Sequence, residues 1–488
     1  MAYKNSNAAS HIVQKVNTVL GRGKQVAQVL TRKLHTTTTI LLRTFCSTTC
    51  LEKMSDYMPE EVVTRILARV PAKSLLRFRC VSKSWKSLIS SSDFISLHTR
   101  QAFLSEPAVP DDRVLVRHYS KPQRTELYSV HHDNEDFTVA SGVKIDFPFR
   151  RLAQFYFRIV GFSNGLLCLS DDIFGYTNVI MLWNPLIRRK ITLPLPRAIY
   201  KNLGPFMFVL GFGYDLKSND FKVVRIAYDQ SDSGYNLPPI VEVFALSAGN
   251  WREIEVNLPQ NWIIEHFWTQ AYVNGKVHWV AYRLNVEEYR TENLIMAFDL
   301  SNEVFEELLL PDALVVECTI NLCTSVCKDS IAVLHYDKHV ETGCCTIWLM
   351  QTYGDVKSWS KMYTVDFEGG LGRILSFRKD GTILLTARDG DLYSYDPNPR
   401  IQEIKYIGIL GTKDSFFVDR YTESLALLID GEQVLEGLPN VAESDSSGDE
   451  NEGEDDRVEA NELWKQSMMV EFLKALLEQT TMMQDPFV

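Results

Sequence analysis

DYMPEEVVTRILARVPAKSLLRFRCVSKSWKSLIS, residues 56–90, divides into three short helical segments, each with its own start signal. Pro59 stands where a helix's first turn tolerates proline, because the missing N–H would have no intrahelical partner. From there Val62, Ile66 and Val70 recur at steps of four, with Val63 and Leu67 beside them. Glu60, Glu61, Thr64 and Arg65 fall on the other side. Pro71 closes this helix and opens a second, whose apolar residues are Leu75, Leu76 and Phe78. Ser82 is an N-cap residue for a third, carrying Trp85, Leu88 and Ile89. About 35 residues are too few to bury this much apolar surface among themselves. The surplus goes onto the body of the chain or onto a partner's helices, with Leu75, Leu76 and Trp85 as candidate anchors.

The order Pro, Ile-Leu, Pro, Leu-Leu, Arg, Val-Ser and Trp resembles a plant-type F-box. That resemblance implies a small all-α domain over 55–97, followed by a linker over 98–112. It also implies binding to a Skp-family adaptor and, through it, to the cullin scaffold of a ubiquitin ligase. Carried over position by position, Pro59, Ile66, Leu67, Pro71, Leu75, Leu76, Val81 and Trp85 would face the adaptor or support that face. Met58 stands where the pattern has leucine, a swap of similar volume.

At 488 residues, with 45% hydrophobic and 11% aromatic side chains, the chain has room for two or more folded domains. No apolar run approaches the roughly 18–20 residues of a membrane-spanning helix. The nine cysteines are scattered, none in C-x-x-C, and no histidine cluster stands at zinc spacing. Reduced thiols of the nucleus or cytoplasm are expected, with no metal and no cofactor. Net charge is −11, and the residues between the two charged ends are themselves acidic. Nucleic-acid binding, which rests on dense positive charge, is disfavoured.

Residues 1–54 read as a basic, Ser/Thr-rich, disordered extension; the first 51 hold seven Lys or Arg and no acid. The composition suits an organelle transit peptide or a leader with no address. Ubiquitin-ligase work belongs to nucleus and cytoplasm, which favours the leader. Residues 431–462 form an acidic tail, with ten acids and Arg457 alone against them in 443–462, and are expected to be disordered. Ser446 and Ser447 have acids three residues downstream, which suits an acid-directed kinase. Residues 463–483 read as an amphipathic helix, with Trp464, Met468, Phe472 and Leu476 at steps of four. It would dock on its own body or in a partner's groove.

Between residues 110 and 430, short β-type runs are bounded by turn residues. Six turn signals each precede an apolar run: Asn164-Gly165, Asn219-Asp220, Asn274-Gly275, Lys328-Asp329, Asp380-Gly381 and Thr422-Glu423. Their spacing of 55, 55, 55, 51 and 43 residues marks a repeat, and four strands per unit suits a propeller blade. Trp183, Phe244, Phe298, Trp348 and Tyr395 fall at equivalent places on a further strand, as core between blades. The runs over 113–147 lack a partner at one end of the series, and 415–429 at the other. Pairing them closes a ring of six blades without exposed edges. Twin sheets or a partial barrel are the alternatives.

GFSNGLLCL, LWNPLIRRKITLP, GFGYDLKSNDFKVV and VNGKVHWV resemble the F-box-associated, kelch-like interaction domain. The resemblance implies an all-β propeller over 113–430 that recruits a target protein, at residues the sequence does not identify. Gly161 to Gly165 also match G-x-S-x-G, the nucleophile elbow of serine hydrolases. That chemistry needs a helix after the serine, and LLCLS reads as a strand. His266, His278 and His335 are isolated in apolar strands and read as satisfied within the fold. The reading is a non-catalytic substrate receptor of a cullin-based ligase. A propeller scaffold outside any ligase is the alternative, and a serine hydrolase the remote one.

Overall fold

The computed structural model describes residues 59–104 and 113–428, apart from short segments at 121, 141–144, 146–156, 173–178, 200–205, 232–233, 236–237, 256–261, 265–269, 286–289, 338–342, 368–369, 399–402 and 413. The N-terminal extension, Met58, His266, the acidic tail and the helix expected over 463–483 lie outside the described residues. The chain divides into two compact units after Ile89.

The first unit holds α1 (Glu60–Leu67), α2 (Ala72–Phe78) and α3 (Lys83–Ile89). Pro59 and Pro71 directly precede α1 and α2 in extended conformation, so no intrahelical donor is lost. Their carbonyls accept the first helical bonds instead, from Val62 at 2.9 Å and Ser74 at 2.9 Å. Ser82 caps α3, its Oγ accepting from the Trp85 N–H at 3.1 Å. Glu60 and Glu61 occupy the first turn of α1, where the helix dipole favours negative charge.

The second unit begins with α4 (Ser92–Leu104), which continues through the first residues of the stretch between the two expected domains. The rest is a ring of six antiparallel sheets. Blade 1 is β3 (Arg158–Ser163), β4 (Leu166–Ser170), β5 (Ile180–Asn184) and β6 (Arg189–Thr192). Blade 2 is β7 (Phe206–Asp215), β8 (Asp220–Ser231), β10 (Ile240–Ala245) and β11 (Asn250–Glu253), with β9 (Gly234–Tyr235) beside β8. In blade 3 the inner strand is split into β12 (Trp262–Ile264) and β13 (Ala271–Val273), both paired with β14 (Lys276–Asn285), then β15 (Arg290–Asp299) and β16 (Val304–Leu309). Blade 4 is β17 (Leu322–Cys327), β18 (Ser330–Asp337), β19 (Cys344–Met350) and β20 (Trp359–Asp366). Blade 5 is β21 (Leu371–Phe377), β22 (Ile383–Ala387), β23 (Asp391–Tyr395) and β24 (Ile404–Leu410).

Blade 6 closes the ring from both ends of the series: β25 (Phe417–Arg420) pairs with β1 (Arg113–Ser120), which pairs with β2 (Thr125–His132). Val114 lies opposite Arg420 and Val116 opposite Val418. Of the run expected over 142–147, Ile145 is described, bridged to Tyr128. Among the described residues, buried apolar clusters fill the spaces between neighbouring blades. Val114, Val116 and Val418 of blade 6 share one with Leu384 and Leu392 of blade 5, and Leu115 and Val130 share another with Leu167 and Trp183 of blade 1.

Five of the six turn signals stand just before the second strand of a blade. Asn164-Gly165 and Asn274-Gly275 have positive φ at both residues, the geometry two-residue hairpins require. The sixth differs. Among the described residues no strand follows Thr422-Glu423; the strand, Phe417–Arg420, precedes it, and Ser424 to Leu428 is buried without ladder pairing. Asn184 holds that segment, donating from Nδ2 to the carbonyls of Ser424 at 3.0 Å and Ala426 at 2.8 Å. The repeating aromatics all lie on third strands. Trp183, Phe244, Phe298 and Tyr395 are buried in inter-blade clusters, and Trp348 packs half-buried against one.

Candidate functional site

Within the helical unit, the eight residues expected at or behind an adaptor-binding face separate by burial. Pro59, Ile66 and Pro71 are exposed, while Leu76, Val81 and Trp85 are half-buried. Leu67 and Leu75 are buried, so they support a face rather than form it. Leu75, one of the candidate anchors, is 0% exposed in this unit. Val62, outside the expected set, is exposed. It lies one turn before Ile66 on α1, and the two are 38% and 50% exposed, an apolar pair standing in water. Trp85 is held by Phe78, the rings 5.7 Å apart and tilted at 60°.

In the propeller, the inner strands β17, β21 and β25 line a cavity of about 650 Å³. Its wall mixes apolar residues, among them Ile374 and Phe417, with charges from consecutive blades: Lys328, Arg373, Arg378, Asp419 and Arg420. Arg378 is committed to the fold. Its Nε reaches Asp133 at 2.6 Å, its Nη2 the Asn134 carbonyl at 2.7 Å, and its guanidinium lies over the Phe137 ring. Asp419 is different. Its oxygen accepts from the Arg420 N–H at 2.7 Å, yet loss of water around the carboxyl pushes its pKa up to about 7. Among the described residues no group of acidic, His and Cys side chains is placed to hold a metal.

The G-x-S-x-G match has the wrong geometry for an elbow. Ser163 is the last residue of β3, Asn164-Gly165 is the hairpin turn, and β4 follows at once, so no helix stands behind the serine. His278 is fully buried, its ring bonded to the Ala271 carbonyl at 3.0 Å and the Tyr353 hydroxyl at 2.8 Å. Burial lowers its pKa to about 4, so it stays neutral. His335 lies 3.3 Å from Glu317. These roles are structural.

The polar groups that lock blades together carry no sequence signal of their own. Lys222 of blade 2 reaches Asp215 at 2.8 Å and Glu303 of blade 3 at 3.0 Å. Arg225 and Glu242, both within blade 2, form a fully buried pair at 2.9 Å. Only their occurrence as charges within otherwise apolar strands could have marked them.

Comparison with known proteins agrees with both units. The F-box domain matches residues 56–97, and the F-box associated beta propeller domain matches residues 120–431. An Arabidopsis thaliana relative, F-box protein At3g07870, is 25% identical over 382 residues, 70% of this chain and 85% of its own length. F-box/kelch-repeat protein At3g23880 from the same plant is 25% identical, over 68% of this chain and 86% of its own. F-box protein CPR1, also of Arabidopsis, is 29% identical, over 63% and 73%. A helical F-box followed by a closed six-bladed ring, matched over most of its length, makes this chain a member of the F-box proteins that carry an F-box associated β-propeller.

Proposed function

We propose that this chain is the substrate-recognition subunit of a cullin-based ubiquitin ligase, working in nucleus or cytoplasm. Its F-box binds a Skp-family adaptor, and its propeller recruits the protein to be modified. The observation that carries the reading is the exposed apolar pair Val62 and Ile66, flanked by exposed Pro59 and Pro71, inside the F-box match. Such a pair suits burial against a partner's apolar surface. The work is then positional: holding a target lysine beside the charged ubiquitin carrier makes the transfer effectively intramolecular. No residue of this chain needs to touch the reacting atoms.

Affinity purification of the tagged full chain, with identification of what co-elutes, tests this. The adaptor and a cullin are expected. Recovery of a propeller partner with neither of them would favour a scaffold outside the ligase.

A further inference from the structure

The helical unit is charged unlike the chain as a whole. Residues 62–89 hold seven Lys or Arg and no Asp or Glu, in a chain of net charge −11. Arg65, Arg69, Arg77, Lys83 and Lys86 are exposed. Among the described residues of this unit the acids are Glu60 and Glu61, both in the first turn of α1.

Helix ends explain part of this. Arg65, Arg77 and Lys86 stand in the last turns of α1, α2 and α3, where the helix dipole favours a cation. The others have no such reason. Lys73 sits in the first turn of α2 and Lys83 opens α3, where the dipole favours an acid, and neither first turn holds one. Arg69 lies past α1, in the turn whose N–H donates to the Ile66 carbonyl at 3.2 Å. Stability of the helices does not call for positive charge at these places.

On α1 the charge stands beside the exposed apolar pair. Arg65 is three residues after Val62, and Arg69 three after Ile66, so the four fall along one exposed side. Leu67 and Ala68, both buried, lie on the other. A partner that covers Val62 and Ile66 therefore meets Arg65 and Arg69 at the margin of the contact. Charge complementarity there requires carboxylates on the partner.

We infer that the adaptor surface that receives α1 is acidic: carboxylates rim the apolar groove that takes Val62 and Ile66, and they face Arg65 and Arg69. This rests on the adaptor reading of the F-box. Rim charges of opposite sign act mainly on encounter, drawing the two surfaces together before the apolar contact forms. The remaining cations of the unit add to the same field.

Association and dissociation rates of the purified full chain with a purified Skp-family adaptor, measured from about 0.05 to about 0.5 M NaCl, test this. The association rate is expected to fall about tenfold or more across that range, with the dissociation rate changing far less. R65E/R69E should associate about tenfold more slowly at the lowest salt and respond less to added salt, while R65K/R69K keeps the native rate. Both positions are exposed, so the two variants should melt with the native chain, and the salt series on the native chain needs no variant. An adaptor that binds with an association rate indifferent to salt, and equally fast to R65E/R69E, would overturn this inference and leave the ligase reading standing. An adaptor that binds at no salt concentration would overturn both.

Discussion

Arg117 and Ser415 stand 298 residues apart, and the guanidinium of the first donates to the carbonyl of the second. The same guanidinium donates from its other terminal nitrogen to the Phe157 carbonyl at 2.7 Å, and Nε lies 3.6 Å from buried Glu126. Glu126 in turn accepts from the Phe157 N–H and the Tyr128 hydroxyl, both at 2.7 Å. One side chain on β1 thus ties the closing blade to the segments that enter it and leave it.

Replacing Arg117 by methionine keeps the bulk but leaves Glu126 charged and buried without its cation. Breaking one half of a buried pair costs about 3–5 kcal/mol. The urea midpoint of the variant should fall accordingly. The double variant Arg117→Met with Glu126→Gln should recover part of the loss.

Closure itself can be tested by length. Truncation after Leu410 removes β25, opening a ladder edge on β1 and uncovering the apolar cluster shared with blade 5. That chain should aggregate and lose its cooperative melt. Truncation after Gly437 keeps the whole ring and should melt as the full chain does. A Leu410 truncation that melts normally would refute closure as the source of stability.

In the F-box, two substitutions should behave differently. Ile66→Asp places a charge on an exposed position, so the melt should barely move, while adaptor pull-down should weaken by about 2 kcal/mol or more. Leu75→Ala opens a cavity at a buried one and should cost about 2–5 kcal/mol of stability. Adaptor binding that survives Ile66→Asp unchanged would remove α1 from the interface.

The hairpin at the G-x-S-x-G match makes its own contrast. Gly165 has φ of 80°, and a Cβ there would lie 2.4 Å from that of Ser424. Gly165→Ala should destabilise by more than about 1 kcal/mol. Ser163→Ala should leave stability and partner binding near native values, and neither protein should react with a serine-directed probe.

Asp419 predicts a pH dependence. Its pKa rises from 3.8 unfolded to about 7 folded, so in that window the native state holds more protons than the unfolded state. This group's contribution is present at low pH and declines as pH rises through 7. Asp419→Asn should therefore raise the melting temperature at pH 8 relative to the native chain, with the gain shrinking toward pH 4. His278 acts in the opposite sense. Held neutral down to about pH 4, it costs stability as pH falls from 6.5.

Much of the ring could be read in advance because its signals are local. A two-residue hairpin demands positive φ at both residues, which Asn-Gly pairs adopt readily, and third-strand aromatics repeat because every blade needs the same filler. Thr422-Glu423 misled because the closing blade takes its inner strand, Phe417–Arg420, from before the signal rather than after it. The F-box split was hidden for another reason. Leu75 and Ile66 are both apolar at helical spacing, and only the packing of three short helices decides that one is core and the other surface. Arg117, Glu126 and Asn184 act across hundreds of residues, a distance at which no periodic pattern reports.

Because β1 is the first of the described propeller strands to leave the ribosome and β25 the last, blade 6 alone must wait for residues 417–420 before it can be completed. Closure of the ring therefore waits for β25. Until then the apolar face of β1 stands open, and nascent chains stalled short of Phe417 become clients for chaperones.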